Sequence, residues 1–185
     1  MGNKQKYLLL VGIVLLCVGI DQWLKWYVHS HFALGESVSI TSWFWICYVE
    51  NNGMAFGIEW FSKVFLTLFR IAAVIFLSWY ANKLIKQQFR MGYIVTIALI
   101  LAGALGNIID CVFYGVIYDY APLLYGKVID MFYFPLITNS AGDVIFFRPV
   151  FNFADSCITV AVFIILLFFR KDFDLSIHKF HEDIS

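Results

Sequence analysis

Five charged side chains lie in stretches of this chain that are otherwise apolar: Asp21, Lys25, Arg70, Asp110 and Asp155. A charge at the centre of a membrane-spanning segment costs about 2.5–3.5 kcal/mol or more, so each needs a partner or a task. Asp21 and Lys25 are four residues apart, neighbours on one helical face. Asn107 stands three residues before Asp110, and Asn152 three before Asp155. In each pair an amide sits one turn ahead of a carboxylate, able to hydrogen-bond that carboxylate or a bound peptide. Plainer roles compete. Asp21–Lys25 can be a local ion pair that reaches up to the membrane surface, and Asp155 can be a helix N-cap, with Asn152 as a rival cap. Other hydrolytic chemistries find no support. His181-Glu182 lacks the rest of H-E-x-x-H, there is no G-x-S-x-G elbow, and His29 and His31 have no convincing third ligand. No metal and no other cofactor is expected.

The elements that must position these residues are membrane spans. The chain has 185 residues, 62% hydrophobic and 14% charged, against roughly a quarter charged in soluble domains. Zero net charge gives no hint of a nucleic-acid partner. Four apolar blocks can each cross a hydrocarbon core of about 30 Å, over about 7–28, 64–81, 91–114 and 151–169. The first follows Lys4 and Lys6 as a secretory signal would, but no small-residue cleavage site comes after it, so a retained helix is expected. Cys17, Cys47, Cys111 and Cys157 show no C-x-x-C spacing and read as packing residues.

Lys4, Lys6, Lys83, Lys86, Arg90, Arg170 and Lys171 flank one set of span ends, whereas Lys63, Lys127 and Arg148 are spread over the other. By the positive-inside rule the termini and the short second connection are cytoplasmic. The long loops, about 29–63 and 115–150, then face outward. Ser37–Ile46 reads as strand, and Trp43, Trp45, Trp60, Phe61, Tyr133 and Phe134 suit a membrane interface. The expected fold is a single membrane domain over 1–185, an all-α bundle of four transmembrane helices with a small extracytoplasmic β-rich cap. Asp21, Lys25, Arg70, Asp110 and Asp155 all fall in the outer third of the bilayer. Independent flaws would scatter, so one polar site inside the bundle is expected.

Five blocks of sequence resemble a known family in its order. Asp21-Gln22-Trp23-Leu24-Lys25 fits D-Q-x-x-K, and Asn51-Asn52-Gly53-Met54-Ala55-Phe56 fits N-x-G-x-A-F. Gly103 to Asp110 fits G-A-L-G-N-x-x-D, Gly126-Lys127-Val128-Ile129-Asp130 is similar to G-x-V-V-D, and Phe151 to Ser156 fits F-N-x-A-D-S. Together they resemble the bacterial lipoprotein signal peptidases (signal peptidase II). That resemblance implies a four-helix enzyme of the cytoplasmic membrane that cleaves diacylglyceryl-modified prolipoproteins just before the lipidated cysteine. Its partners would be those lipidated substrates and the membrane phospholipids, and it would act as a monomer. The implied catalytic pair is Asp130 and Asp155, supported by Asp21, Lys25, Asn51, Gly53, Asn107, Asp110 and Asn152.

Two departures stand out. The family usually has Arg directly after the G-N-x-x-D aspartate, where this chain has Cys111; Arg70, at similar depth, is the expected replacement partner for Asp110. The family also commonly spaces its next aspartate nine residues on, at Asp119 here. The Lys-Val-Ile-Asp text favours Asp130 instead, which implies an eleven-residue insertion. Two aspartates held close share a proton and titrate as a pair, which suits hydrolysis by an activated water. The alternative is a small transporter or proton channel using intramembrane carboxylates. Conduction needs polar residues through both leaflets, and the inner halves of these spans are almost purely apolar.

Overall fold

The computed structural model describes residues 2–52, 63–138, 144–146 and 149–182. Among the described residues, four helices are long and apolar enough to cross a membrane: Asn3–His31, Lys63–Lys86, Met91–Ile117 and Phe153–Phe180. α1 (Asn3–His31) and α2 (Lys63–Lys86) are regular. α3 (Met91–Ile109) continues through a π-helical turn, Asp110–Tyr114, into the short α4 (Gly115–Ile117). α5 (Phe153–Ile164) likewise runs through a π-helical segment, Ile165–Phe169, into α6 (Arg170–Glu182). Every span runs past its sequence-read C-terminal bound, the last most of all. Arg170 and Lys171 mark where apolar sequence stops, but a helix needs no lipid to go on, and Asp172 finds Arg90 at 3.4 Å.

α3 is the central post, packed against α1, α2 and α5. Most of its span is buried within the protein, whereas the other three turn most of theirs outward. Leu15, Leu16, Phe69, Ile75, Phe163 and Leu167 are among the exposed apolar side chains, as lipid-facing surfaces require. Lipid supplies no hydrophobic drive between helices, so close packing and hydrogen bonds must hold them.

At one end of the bundle lies a small cap. β1 (Ser37–Thr41), β2 (Phe44–Asn51) and β3 (Val128–Tyr133) form an antiparallel sheet in that order. The strand read over Ser37–Ile46 is thus two strands, broken at Ser42 and Trp43 by a tight turn. β4 (Ile137–Thr138) and β5 (Val144–Phe146) make a separate two-stranded pair. Trp60 and Phe61 lie outside the described residues. Trp43 stacks on Phe134, and Phe134 on Phe151.

The route into β3 explains the inserted residues. After α4 the chain reverses and runs back along the end of α3, with Leu124 N–H bonding Val112 O (3.0 Å) and Gly126 N–H bonding Cys111 O (2.9 Å). The approach at Gly126 is so close that a Cβ there would lie 1.9 Å from Asp110 O, so only glycine fits. Extra length is therefore spent outward and recovered on the way back, and Asp130 returns beside Asp110. Asp119 is left exposed at the far bend, with φ 55°.

The opposite end carries the chain termini. Lys6 Nζ donates to Phe89 O (3.1 Å) and Gln88 Oε1 (3.2 Å), and Tyr7 OH donates to Asn82 Oδ1. Tyr80 OH is hydrogen-bonded to Tyr93 OH (2.5 Å) and Ser176 Oγ (2.6 Å), joining α2, α3 and α6.

Candidate active site

Beneath the cap, Lys25 is the hub of a charged cluster. Its ammonium has three N–H donors and three partners: Asp110 Oδ2 at 2.7 Å, Asp21 Oδ2 at 2.8 Å and Asn107 Oδ1 at 3.0 Å. The Lys25 and Asp110 side chains are fully buried and Asp21 is 2% exposed, so this is no ion pair reaching for the membrane surface. Burying such charges is favourable only when every lone pair and proton is used. Gln22 completes the set: its Nε2 donates to Asp110 Oδ1 (2.9 Å) and Gly106 O (3.1 Å), and its Oε1 accepts from Tyr114 OH (3.0 Å). Ile129 N–H points at Asp110 Oδ2 (3.4 Å) and Ala154 N–H at Asp21 Oδ1 (2.9 Å). A Cβ on Gly106 would sit 2.6 Å from Asp21 Oδ2, which is why glycine stands there.

The expected pairing of Arg70 with Asp110 is not formed. Lys25 takes Asp110, and Arg70 Nη1 lies instead 2.8 Å from Cys111 Sγ. The cause is rotational: in the π-helical turn Asp110 faces α1, while its neighbour Cys111 faces α2. Thus Asp110 was never without a cation; its partner is on the first span.

From the hub the order passes to two amides. Lys25 fixes Asn107 with Oδ1 toward itself, so Asn107 Nδ2 donates to Asp155 Oδ1 (2.8 Å). Asn152 is the N-cap of α5. Its Oδ1 accepts from Asp155 N (2.9 Å), while Asn152 N donates to Asp155 Oδ2 (3.3 Å) in a reciprocal capping box. Of the two capping readings of the sequence the structure takes the rival: Asn152 is the N-cap, and Asp155 stands at the third helical position and bonds back to it. With Oδ1 so committed, Asn152 Nδ2 must point the other way. It donates to Asp130 Oδ1 (2.7 Å) and Asn107 Oδ1 (3.0 Å).

Asp130 arrives on β3. Its strand is held by register on one side, Val49 opposite Asp130 and Asn51 opposite Val128, and by the Phe132–Phe151 bridge on the other. That bridge ties the entrance of α5 to the strand and so brings Asp130 to Asp155. Asn51 Nδ2 donates to Asp130 Oδ2 (3.0 Å). Burial raises the Asp130 carboxyl to about 6, and the nearby Asp155 carboxylate adds to the rise, against the opposing pull of the Asn51 and Asn152 amides. Asp155 is half-buried and Asp130 buried.

Asp21, Lys25, Asn51, Asn107, Asp110, Asp130, Asn152 and Asp155 are therefore joined in one hydrogen-bonded network. Gly53 lies outside the described residues. Arg70 stands one helix aside and Asp119 is remote. Gln22 and Tyr114 belong to the network without having been singled out. The signal for Gln22 was its place beside Asp21 in D-Q-x-x-K; Tyr114 carried none.

Four apolar helices with a carboxylate-and-amide cluster under a small sheet define a multi-pass membrane protein with a buried charged site at one end. A model of the family described as signal peptidase (SPase) II matches residues 13–170. The lipoprotein signal peptidase of Porphyromonas gingivalis is 39% identical over 189 residues, covering 89% of this chain and 84% of that protein. That of Streptococcus pneumoniae is 32% identical, covering 91% and 96%. A solved structure described as a bacterial membrane enzyme determined by the in meso method at 2.3 Å superposes with TM-score 0.66 at 30% identity, covering 88% of each chain. This chain belongs to the signal peptidase II family and is thereby a membrane peptidase.

Proposed function

We propose that this protein is an aspartic endopeptidase that removes the signal peptide from diacylglyceryl-modified prolipoproteins, cutting immediately before the lipidated cysteine, with Asp130 and Asp155 as its catalytic pair. Asn152 supports this most directly: one side chain caps the helix bearing Asp155 and donates to Asp130. It locks the two carboxyls into one unit.

Two carboxyls so placed share a proton. Asp130, the more buried and with its carboxyl raised to about 6, is suited to hold it. Asp155, half-exposed, has the access to water that a general base needs. Asp155 takes a proton from water as the water oxygen bonds to the scissile carbonyl carbon, and Asp130 protonates the carbonyl oxygen. The resulting diol collapses with cleavage of the C–N bond as the departing amine receives the proton from Asp155 and one diol hydroxyl returns its proton to Asp130. Asn51 and Asn107 hold the carboxyls in orientation throughout.

The distribution of Lys and Arg favours a cap outside the cytoplasm and termini inside it, so that the pair meets secreted precursors near the outer leaflet. Cysteine reporters at Ser37 should then label from outside and those at Gln87 should not. Ion conduction is disfavoured by the packed apolar layer of Val14, Ile97, Ala98, Leu101 and Ala102 below the site.

The deciding experiment incubates purified protein with a lipidated precursor and watches for release of the signal peptide. Asp130→Asn and Asp155→Asn should each abolish release while leaving folded protein, and Asp119→Asn should keep substantial activity. Near-normal turnover by either of the first two variants overturns the assignment.

A further inference from the structure

At the termini end, a groove of about 510 Å³ runs between α2, α3 and the α5–α6 helix. Phe76, Leu77, Ile97, Ile100, Ile165 and Phe173 are among the side chains that line it. The one hydroxyl in its wall, on Tyr80, is already bound to Tyr93 and Ser176, and the indole N–H of Trp79 is the one other polar side-chain group of the lining. Only an apolar chain fits such a lining. Its rim is different. Lys83 Nζ stands 5.8 Å from the ring centre of Trp79 and 5.7 Å from that of Phe180, and both rings line the groove. Arg90 lies over Phe169 and Lys179 over Phe89 at the same end.

An apolar trough with cations at one end matches an amphiphile: a long acyl chain in the groove and an anionic head beside Lys83. In a bilayer the molecule of that chemistry at that depth is a phospholipid, the charged head lying where the spans end. We propose that this groove is a binding site for one anionic phospholipid of the leaflet at the termini end, separate from the peptidase site. The bound lipid would join α2 to α6 along the flank of α3, beside the hydrogen bond of Tyr80 with Ser176 that already links them.

The test is native mass spectrometry of the full chain released from detergent, with phosphatidylglycerol or phosphatidylcholine supplied in equal amounts. One phosphatidylglycerol should stay bound per chain, in at least fivefold preference to phosphatidylcholine. Lys83→Gln should erase that preference while the lining is untouched, and Ile100→Trp, which fills the groove, should reduce retention of both lipids. Thermal melting of both variants without added lipid identifies any loss of folding. Equal retention of the two lipids by the unaltered protein, retention of neither, or an unchanged preference in folded Lys83→Gln overturns the proposal. So does crosslinking of a substrate signal peptide to a photoreactive residue at position 100, which would make the groove part of the peptidase site.

Discussion

The bundle is fastened by a polar layer at each end, and the two are built on opposite principles. Under the cap, Lys25 joins two carboxylates and an amide with every donor used. At the termini end, Tyr80, Tyr93 and Ser176 join three helices with hydroxyls alone. Neutral hydroxyls suffice to clamp helices. Charges are far more costly to bury: at the termini end buried Lys6 is met by Gln88 and the Phe89 carbonyl, whereas under the cap the buried charges also fix orientation. Here Lys25 sets Asn107, Asn107 and Asn152 set Asp155, and Asn152 sets Asp130. The hub thus determines which way the reactive carboxyls point.

Lys25→Met should break the comparison most severely. It leaves Asp21 and Asp110 buried without a cation, a loss of about 3–5 kcal/mol for a broken buried pair. A thermal melt should show collapse or a large fall in stability, and a melt like that of the unaltered protein would deny the hub its role. Next in size, Asn51→Leu tests the fine control of the pair. The Asn51 amide favours the ionised form of Asp130; without it the carboxyl, already at about 6, moves further up. Activity that needs the shared proton should then survive to higher pH, so the alkaline limb of the pH–rate profile shifts upward. A downward shift contradicts the assignment.

Tyr80→Phe probes the other layer. Removing one neutral partner should cost roughly 1–3 kcal/mol, because Tyr93 and Ser176 each lose a bond, while turnover at a temperature well below melting stays normal. Smallest of all is the coupling between Arg70 and Asp110. A double-mutant cycle on stability should return a value near zero, since Lys25 stands between them in function and Arg70 contacts Cys111. Coupling above about 1 kcal/mol would restore the pairing expected from sequence.

The contrast also marks what sequence could and could not convey. Span number and the gathering of Asp21, Lys25, Asp110 and Asp155 into one cluster were legible, because hydropathy and spacing carry them. The partner of Asp110 was not. Spacing on one helix identifies neighbours four residues away, as for Asp21 and Lys25, but not how that helix is rotated against another. The π-helical turn at Asp110–Tyr114, which sends Asp110 to α1 and Cys111 to α2, leaves no mark in composition. Nor did the apolar texture foretell that the fourth helix continues through α6 to Glu182.

The out-and-back path from α4 to Gly126 has a consequence for how such a chain can change over time. Because the outgoing and returning arms are bonded to each other at Val112 and Cys111, length added at the bend is cancelled before Asp130 is reached. The excursion acts as a slack loop whose size is free while its anchorage is not. Tags or foreign segments grafted near Asp119 should be carried without loss of cleavage, whereas a single added residue between Gly126 and Asp130 would shift the strand by one place and turn its carboxylate to the other face of the sheet.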